Sequence, residues 1–169
     1  MPFDNSTCTI LQRFTTIQPP TEDLWYGPWT SILTTLFPTT QGYMVAPQRR
    51  FSFDDPENHD SDFIIEVMKL STAPFTLRCV LVVKIRNSQH WEPGLPVLQC
   101  LLDMHTHAAL RDTGYLKVYW IGAIGPHWRY GEKEYDGQEL RPLIDWHHTT
   151  HDQASFDDLQ TLAQLVAAL

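Results

Sequence analysis

A carboxylate and an ammonium facing one another at the open end of an apolar hairpin form a small electrostatic site. Asp62 and Lys84 are the pair best placed for it in this 169-residue chain. They lie in two runs rich in Ile, Val, Leu and Phe, DFIIEVMKL over 62–70 and FTLRCVLVVKIR over 75–86, with the turn cluster Ser71-Thr72-Ala73-Pro74 between them. A turn centred near residue 73 sets Asp62 nearly opposite Lys84, with Cβ atoms roughly 4.5–5.5 Å apart. Alternation gives Lys84 the same face as Val80, Val82 and Arg86, and gives Asp62 the face of Ile64, Glu66 and Met68. The plainer account of the pair is a structural ion bridge at a sheet rim.

Three further groups invite chemistry. His147, His148 and His151 with Asp152 suggest zinc, since His147 and His151 have the i, i+4 spacing of a helical ligand pair. They fall in a loop before the last helix, however, with no cysteine nearby, and loop-bracing histidines are the simpler reading. Trp128-Arg129-Tyr130 follows Gly125-Pro126 and is expected on a loop, where an arginine between aromatics could meet a stacked base or a phosphate. It could equally brace the C-terminal tail by a cation–π contact. Arg49-Arg50 and Arg86 are the other cations expected near the sheet rim, where they would add to a local phosphate-binding patch. No Gly-rich phosphate loop, serine nucleophile elbow or dinucleotide fingerprint is present.

The elements that must position these residues follow from periodicity. Residues 1–20 read as an N-terminal arm and 21–169 as a single domain. Thr21-Glu22-Asp23 offers a helix start, and Leu24, Trp25, Trp29, Ile32, Leu33 and Leu36 recur at helical spacing before Pro38. A strand is predicted over 42–50, an acidic loop over 51–60, and then the two strands of the hairpin. A helix over 96–110, an interior strand over 117–124, an irregular aromatic stretch over 125–146 and a helix from Ser155 complete the order. Three strands, a helix and a returning strand predict an α/β fold with a mixed central sheet.

The order α-β-β-β-α-β, with Ser61-Asp62 opening one strand and Val82-Val83-Lys84 in the next, resembles the PD-(D/E)XK nuclease superfamily. More closely, residues 60–169 resemble uncharacterised fungal proteins similar to that superfamily. The likeness rests on the run Lys84 to Trp91, on 118–122 with Gly125-Pro126-His127-Trp128-Arg129-Tyr130-Gly131, and on His151 to Phe156. It implies a restriction-endonuclease-like core with a C-terminal helical extension, and a nuclease or other hydrolase cutting nucleic-acid phosphodiester bonds. Asp62 and the main-chain carbonyl of Val83 would hold Mg²⁺ or Mn²⁺, Lys84 would act on the attacking water, and Glu22 would be an accessory acid. Arg49, Arg86 and Arg129 would contact nucleic acid. The position two before the lysine, acidic in the superfamily, is Val82, which supplies no oxygen; Ser61 likewise replaces the usual proline. Glu66 is the nearest substitute acid, diagonally across from position 82 but about 13 Å along the strand from Asp62. The resemblance therefore allows two expectations, a degenerate Mg-dependent nuclease and an inactive pseudoenzyme that binds protein or nucleic acid.

Charge bounds the partners. The chain has 12 Lys and Arg against 20 Asp and Glu, a formal net charge of −8, which excludes a histone-like binder held on phosphates by bulk attraction. The excess acid lies in the flanks, and residues 61–125 carry 6 basic against 5 acidic groups. Nucleic acid, DNA ahead of RNA, or a protein partner is expected, and a homodimer follows the superfamily's habit of pairing to cut two strands. No membrane span is expected, and Cys8, Cys79 and Cys100 read as reduced, mostly buried thiols of an intracellular protein, cytoplasmic or nuclear.

Overall fold

A computed structural model describes residues 3–50, 63–87, 91–113, 115–135 and 139–169, without the side chains of 48–50 and 112–113. Asp62, the acidic loop and the side chain of Arg49 lie outside the described residues.

Hydrophobic alternation drives six strands into one mixed sheet whose spatial order follows the sequence. These are β1 (Tyr43–Arg50), β2 (Phe63–Thr72), β3 (Phe75–Arg86), β4 (Lys117–Ile124), β5 (His127–Glu134) and β6 (Arg141–Pro142). All neighbours are antiparallel except β3 and β4, whose parallel pairing requires a crossover. Helix α3 (Trp91–Thr113) supplies it. Helices α1 (Asn5–Thr16), α2 (Asp23–Leu36) and α4 (Gln153–Ala167) complete the set.

Two apolar layers sandwich the sheet. Cys8, Leu11, Trp25, Trp29, Leu159, Leu162 and Val166 from α1, α2 and α4 meet Ile65, Val67, Leu81, Val83 and Ile85 on one face. On the other, Leu98, Leu102 and Leu110 of α3 meet Val82, Val118 and Trp120. β3 is therefore covered on both faces and paired on both edges, which accounts for its continuously apolar sequence. No described helix is long and apolar enough to cross a membrane.

The hairpin register differs from the expected one. β2 and β3 run on to Thr72 and Phe75, which pair with each other, and a bulge follows between Val67 and Met68. Ile65 faces Val83 and Glu66 faces Val82, so Lys84 stands one step beyond, level with Ile64 rather than with residue 62. At the bulge Val80 joins Leu81 on the α2 face while Val82 turns toward α3, so Val80 does not share a face with Val82.

Other differences have local causes. Residues 5–16, expected as part of an arm, form α1 because the Asp4 side chain caps it, accepting from Thr7 N at 2.9 Å. α3 begins at Trp91, five residues before Pro96, which the helix carries within it at the loss of one backbone hydrogen bond. Within the stretch 125–146, expected to be irregular, Gly125-Pro126 makes a tight turn, Gly125 having φ +58°, and β5 returns along β4. α4 is capped by Asp152, which accepts from Ser155 N at 2.8 Å, rather than by Ser155. Cys8 and Cys79 are buried, but Cys100 is exposed.

Gly131 is where β6 and the Trp120 ring crowd the sheet. A Cβ there would stand 2.2 Å from Arg141 O and 2.3 Å from a Trp120 ring carbon. Gly131→Ala should cost on the order of 1–3 kcal/mol by overpacking, lowering the thermal midpoint by roughly 3–10 °C for a chain of this size. An unchanged melting curve by circular dichroism would show that β6 moves away freely.

Candidate functional site

Glu22, Lys84 and Arg86 converge at the carboxyl ends of β3 and β4, the edge where α/β sheets with parallel strands commonly bind ligands. Glu22 precedes α2 but does not cap it: no side-chain bond to the helix is made. Its carboxylate is directed instead at β3, with Oε1 3.9 Å from Lys84 Nζ and Oε2 3.8 Å from Arg86 Nε. Tyr26 lies four residues on, one helical turn away on the same face. Its hydroxyl donates to the carbonyl of Phe63, which also accepts from Lys84 Nζ at 3.1 Å. Asn87 fixes the approach of α2 by donating its amide to Pro19 O at 3.4 Å and Pro20 O at 3.1 Å. Gly125 N donates to Arg86 O at 2.8 Å, closing the ends of β3 and β4 together.

The cluster is nearly dry. Lys84 is 0% exposed, Glu22 27% and Arg86 20%. A buried ammonium is costly unless hydrogen-bonded and paired. The Phe63 carbonyl and Glu22 meet that demand, so the lysine organises the junction of α2, β2 and β3.

Among the described residues, the several hard oxygen ligands that Mg²⁺ requires are not brought together; Asp62 lies outside them. Val82 is 0% exposed within the apolar layer under α3. Val83 is paired with Ile65 on one side and Ile121 on the other, which commits its backbone to the sheet. Glu66 is buried and directly across from Val82, not diagonal to it, about 7 Å of strand from the level of Lys84. Among the described residues no group of three or more His, Cys, Asp or Glu could hold a metal ion.

An aromatic cluster occupies the same end of the sheet. Trp91 meets His127 and Trp146 edge-on at 4.8 and 5.0 Å, and His127 meets His148 at 5.2 Å. His127 and His148 bring their Nδ1 atoms to 3.0 Å. Arg129 is on β5 rather than a loop, and its guanidinium lies 4.7 Å from the Trp146 ring, the tail-bracing contact. His147 is tied down: Nε2 meets Asp158 Oδ2 at 2.7 Å, its ring stacks on Trp128 at 4.8 Å, and the two backbones form a bridge. Thr149 Oγ1 holds His151 Nδ1 at 2.6 Å. Sequence reasoning singled out Glu22, Lys84 and Arg86 but missed Tyr26 and Asn87. The i, i+4 spacing of Glu22 and Tyr26 was the available signal for the first; Asn87 gave none.

Comparison with family models, curated proteins and solved structures yields no match to this chain.

Lys84→Ala should destabilise the protein by about 2–5 kcal/mol through the cavity and the lost partner of Glu22, with Lys84→Met losing less. Urea unfolding measures both, and a Lys84→Ala protein as stable as the parent would deny the lysine its organising role. Burial first, and then His148, hold the His127 pKa below its ordinary 6.5. The unfolded chain therefore takes up a proton that the folded chain refuses, and stability should fall as pH drops below 6.5. His127→Gln should flatten that acid limb in melts between pH 7 and 5.

Proposed function

We propose that the chain is a non-catalytic binding module of the PD-(D/E)XK type, holding nucleic acid, DNA ahead of RNA, at the carboxyl end of its parallel strand pair. The observation that carries this reading is Val82: a fully buried valine under α3 stands where hydrolysis would need a metal-binding carboxylate. Support for the kinship comes from the order α2, β1, β2, β3, α3, β4, which is the order the superfamily resemblance calls for. Support for nucleic acid comes from Arg86, partly exposed although paired with Glu22, and from half-buried Trp91 and Trp146 at the same end of the sheet, a cation with aromatic faces on which bases stack. The net charge of −8 confines any such contact to this edge.

A second reading, Mg-dependent phosphodiester hydrolysis, is favoured by one observation, the buried Glu66 carboxylate directly across from Val82.

Fluorescence anisotropy with labelled single-stranded and duplex DNA and RNA tests the first reading, and plasmid nicking in Mg²⁺ or Mn²⁺ tests the second. Trp91→Ala should weaken DNA binding roughly 5- to 100-fold, the worth of one stacked base, with no metal-dependent nicking by the parent protein. Nicking that disappears in both Lys84→Met and Glu66→Gln would replace the module with an enzyme. Absence of DNA and RNA binding at low salt would remove nucleic acid as the partner.

A further inference from the structure

On the α3 face of the sheet lies a cleft of about 230 Å³, one strand over from the Glu22–Lys84 junction, since its Gly122 is the cross-strand partner of Lys84. Its floor is Gly122 and Trp120 of β4, its wall Leu98 and Leu102 of α3, and exposed Gln99 stands at its mouth. The space exists because residue 122 has no side chain. A Cβ there would lie 2.9 Å from Leu102 Cδ1 and 3.2 Å from Leu98 Cδ2. Arg129 is the direct cross-strand partner of Gly122 and lines the same cleft.

Arg129 is the cleft's charged group. Its guanidinium lies between two rings, 4.7 Å from the Trp146 centroid and 5.9 Å from that of Trp120. It makes no hydrogen bond or ion pair among the described residues, so its donors in the cleft are uncommitted. Partial burial pulls its pKa below the ordinary value while Asp145 pushes it back up, and a guanidinium stays charged under such pressures. Nearby Lys133 is already spent, its Nζ 2.6 Å from Asp103 Oδ1.

We propose that this cleft binds a small planar carboxylate of one or two aromatic rings, its ring between Trp120 and the leucines of α3 and its carboxylate on Arg129. Size sets the body, because an apolar cavity of about 150 Å³ holds benzene, and 230 Å³ admits a second ring. Charge sets the head group, since the planar fork of an arginine matches a carboxylate with two parallel hydrogen bonds. A polyanion fits worse: the Glu139 carboxylate lines the adjoining depression and repels a chain of phosphates running past the mouth. The site shares Trp146 with the nucleic-acid reading but rests on Gly122 and Arg129, which that reading does not use.

Isothermal titration and quenching of tryptophan fluorescence with 2-naphthoate and its neutral analogue 2-naphthamide test the assignment. The parent protein should bind the acid about tenfold or more tightly than the amide, the difference expected of a charge-assisted hydrogen-bonded pair. Arg129→Met should abolish the discrimination while leaving amide binding in place. Gln99→Trp, an exposed change at the mouth that leaves the core untouched, should weaken both ligands. Equal binding of acid and amide, acid binding unaffected by either substitution, or no binding of either ligand at millimolar concentration overturns the proposal. If Arg129→Met fails to fold, the acid–amide comparison in the parent and the Gln99→Trp result decide the matter.

Discussion

An ammonium group with no access to water governs the end of this molecule where its helices and strands converge. β3 is flanked by strands on both edges and covered on both faces, so every side chain near its end must be apolar or fully provided for. Lys84 is the exception that must be provided for. The Phe63 carbonyl, the Glu22 carboxylate and, through the shared carbonyl, the Tyr26 hydroxyl all gather around that one charge. α2 takes its position on the sheet partly from this demand, and Glu22 forgoes capping its own helix to meet it.

The same residues separate two accounts of what the edge does. In a metal-dependent hydrolase a lysine of this kind would face substrate, with oxygen ligands beside it. Here it faces inward to a main-chain carbonyl, and its neighbour two positions back contributes hydrocarbon to the layer beneath α3. Around Lys84, the Phe63 carbonyl and the Glu22 carboxylate tie α2, β2 and β3 together. The aromatic cluster of Trp91, His127, Trp146 and His148 at the same rim then becomes the part still facing outward.

Much of this was legible in the amino acids. The run KVYWIGAI over 117–124 is apolar after its first residue and is the interior strand it was expected to be, with the same bounds. Three strands, a crossover helix and a return strand also followed from periodicity alone. β5 was illegible because its glycine and charged residues imitate a loop. Glu132 and Lys133 are buried only because Lys117, Arg141 and Asp103 reach them from other elements. Opposition across the hairpin was likewise beyond reach, since a bulge at Val80 shifts the register without leaving a mark in composition. The Glu22 partnership was visible only as an acid near a helix start, a pattern equally suited to a cap.

The ends of the described chain also meet in space. Phe3, just ahead of α1, rests edge-on against Phe156 of α4 at 5.3 Å between ring centres. The sheet itself can assemble in the order of synthesis, each strand finding its neighbour already made, with one long detour through α3. The aromatic layer over its other face cannot close until residues beyond 152 leave the ribosome. Until then the layer lacks Leu159, Leu162 and Val166, and the nascent chain carries an adhesive surface that chaperones or neighbouring chains can reach.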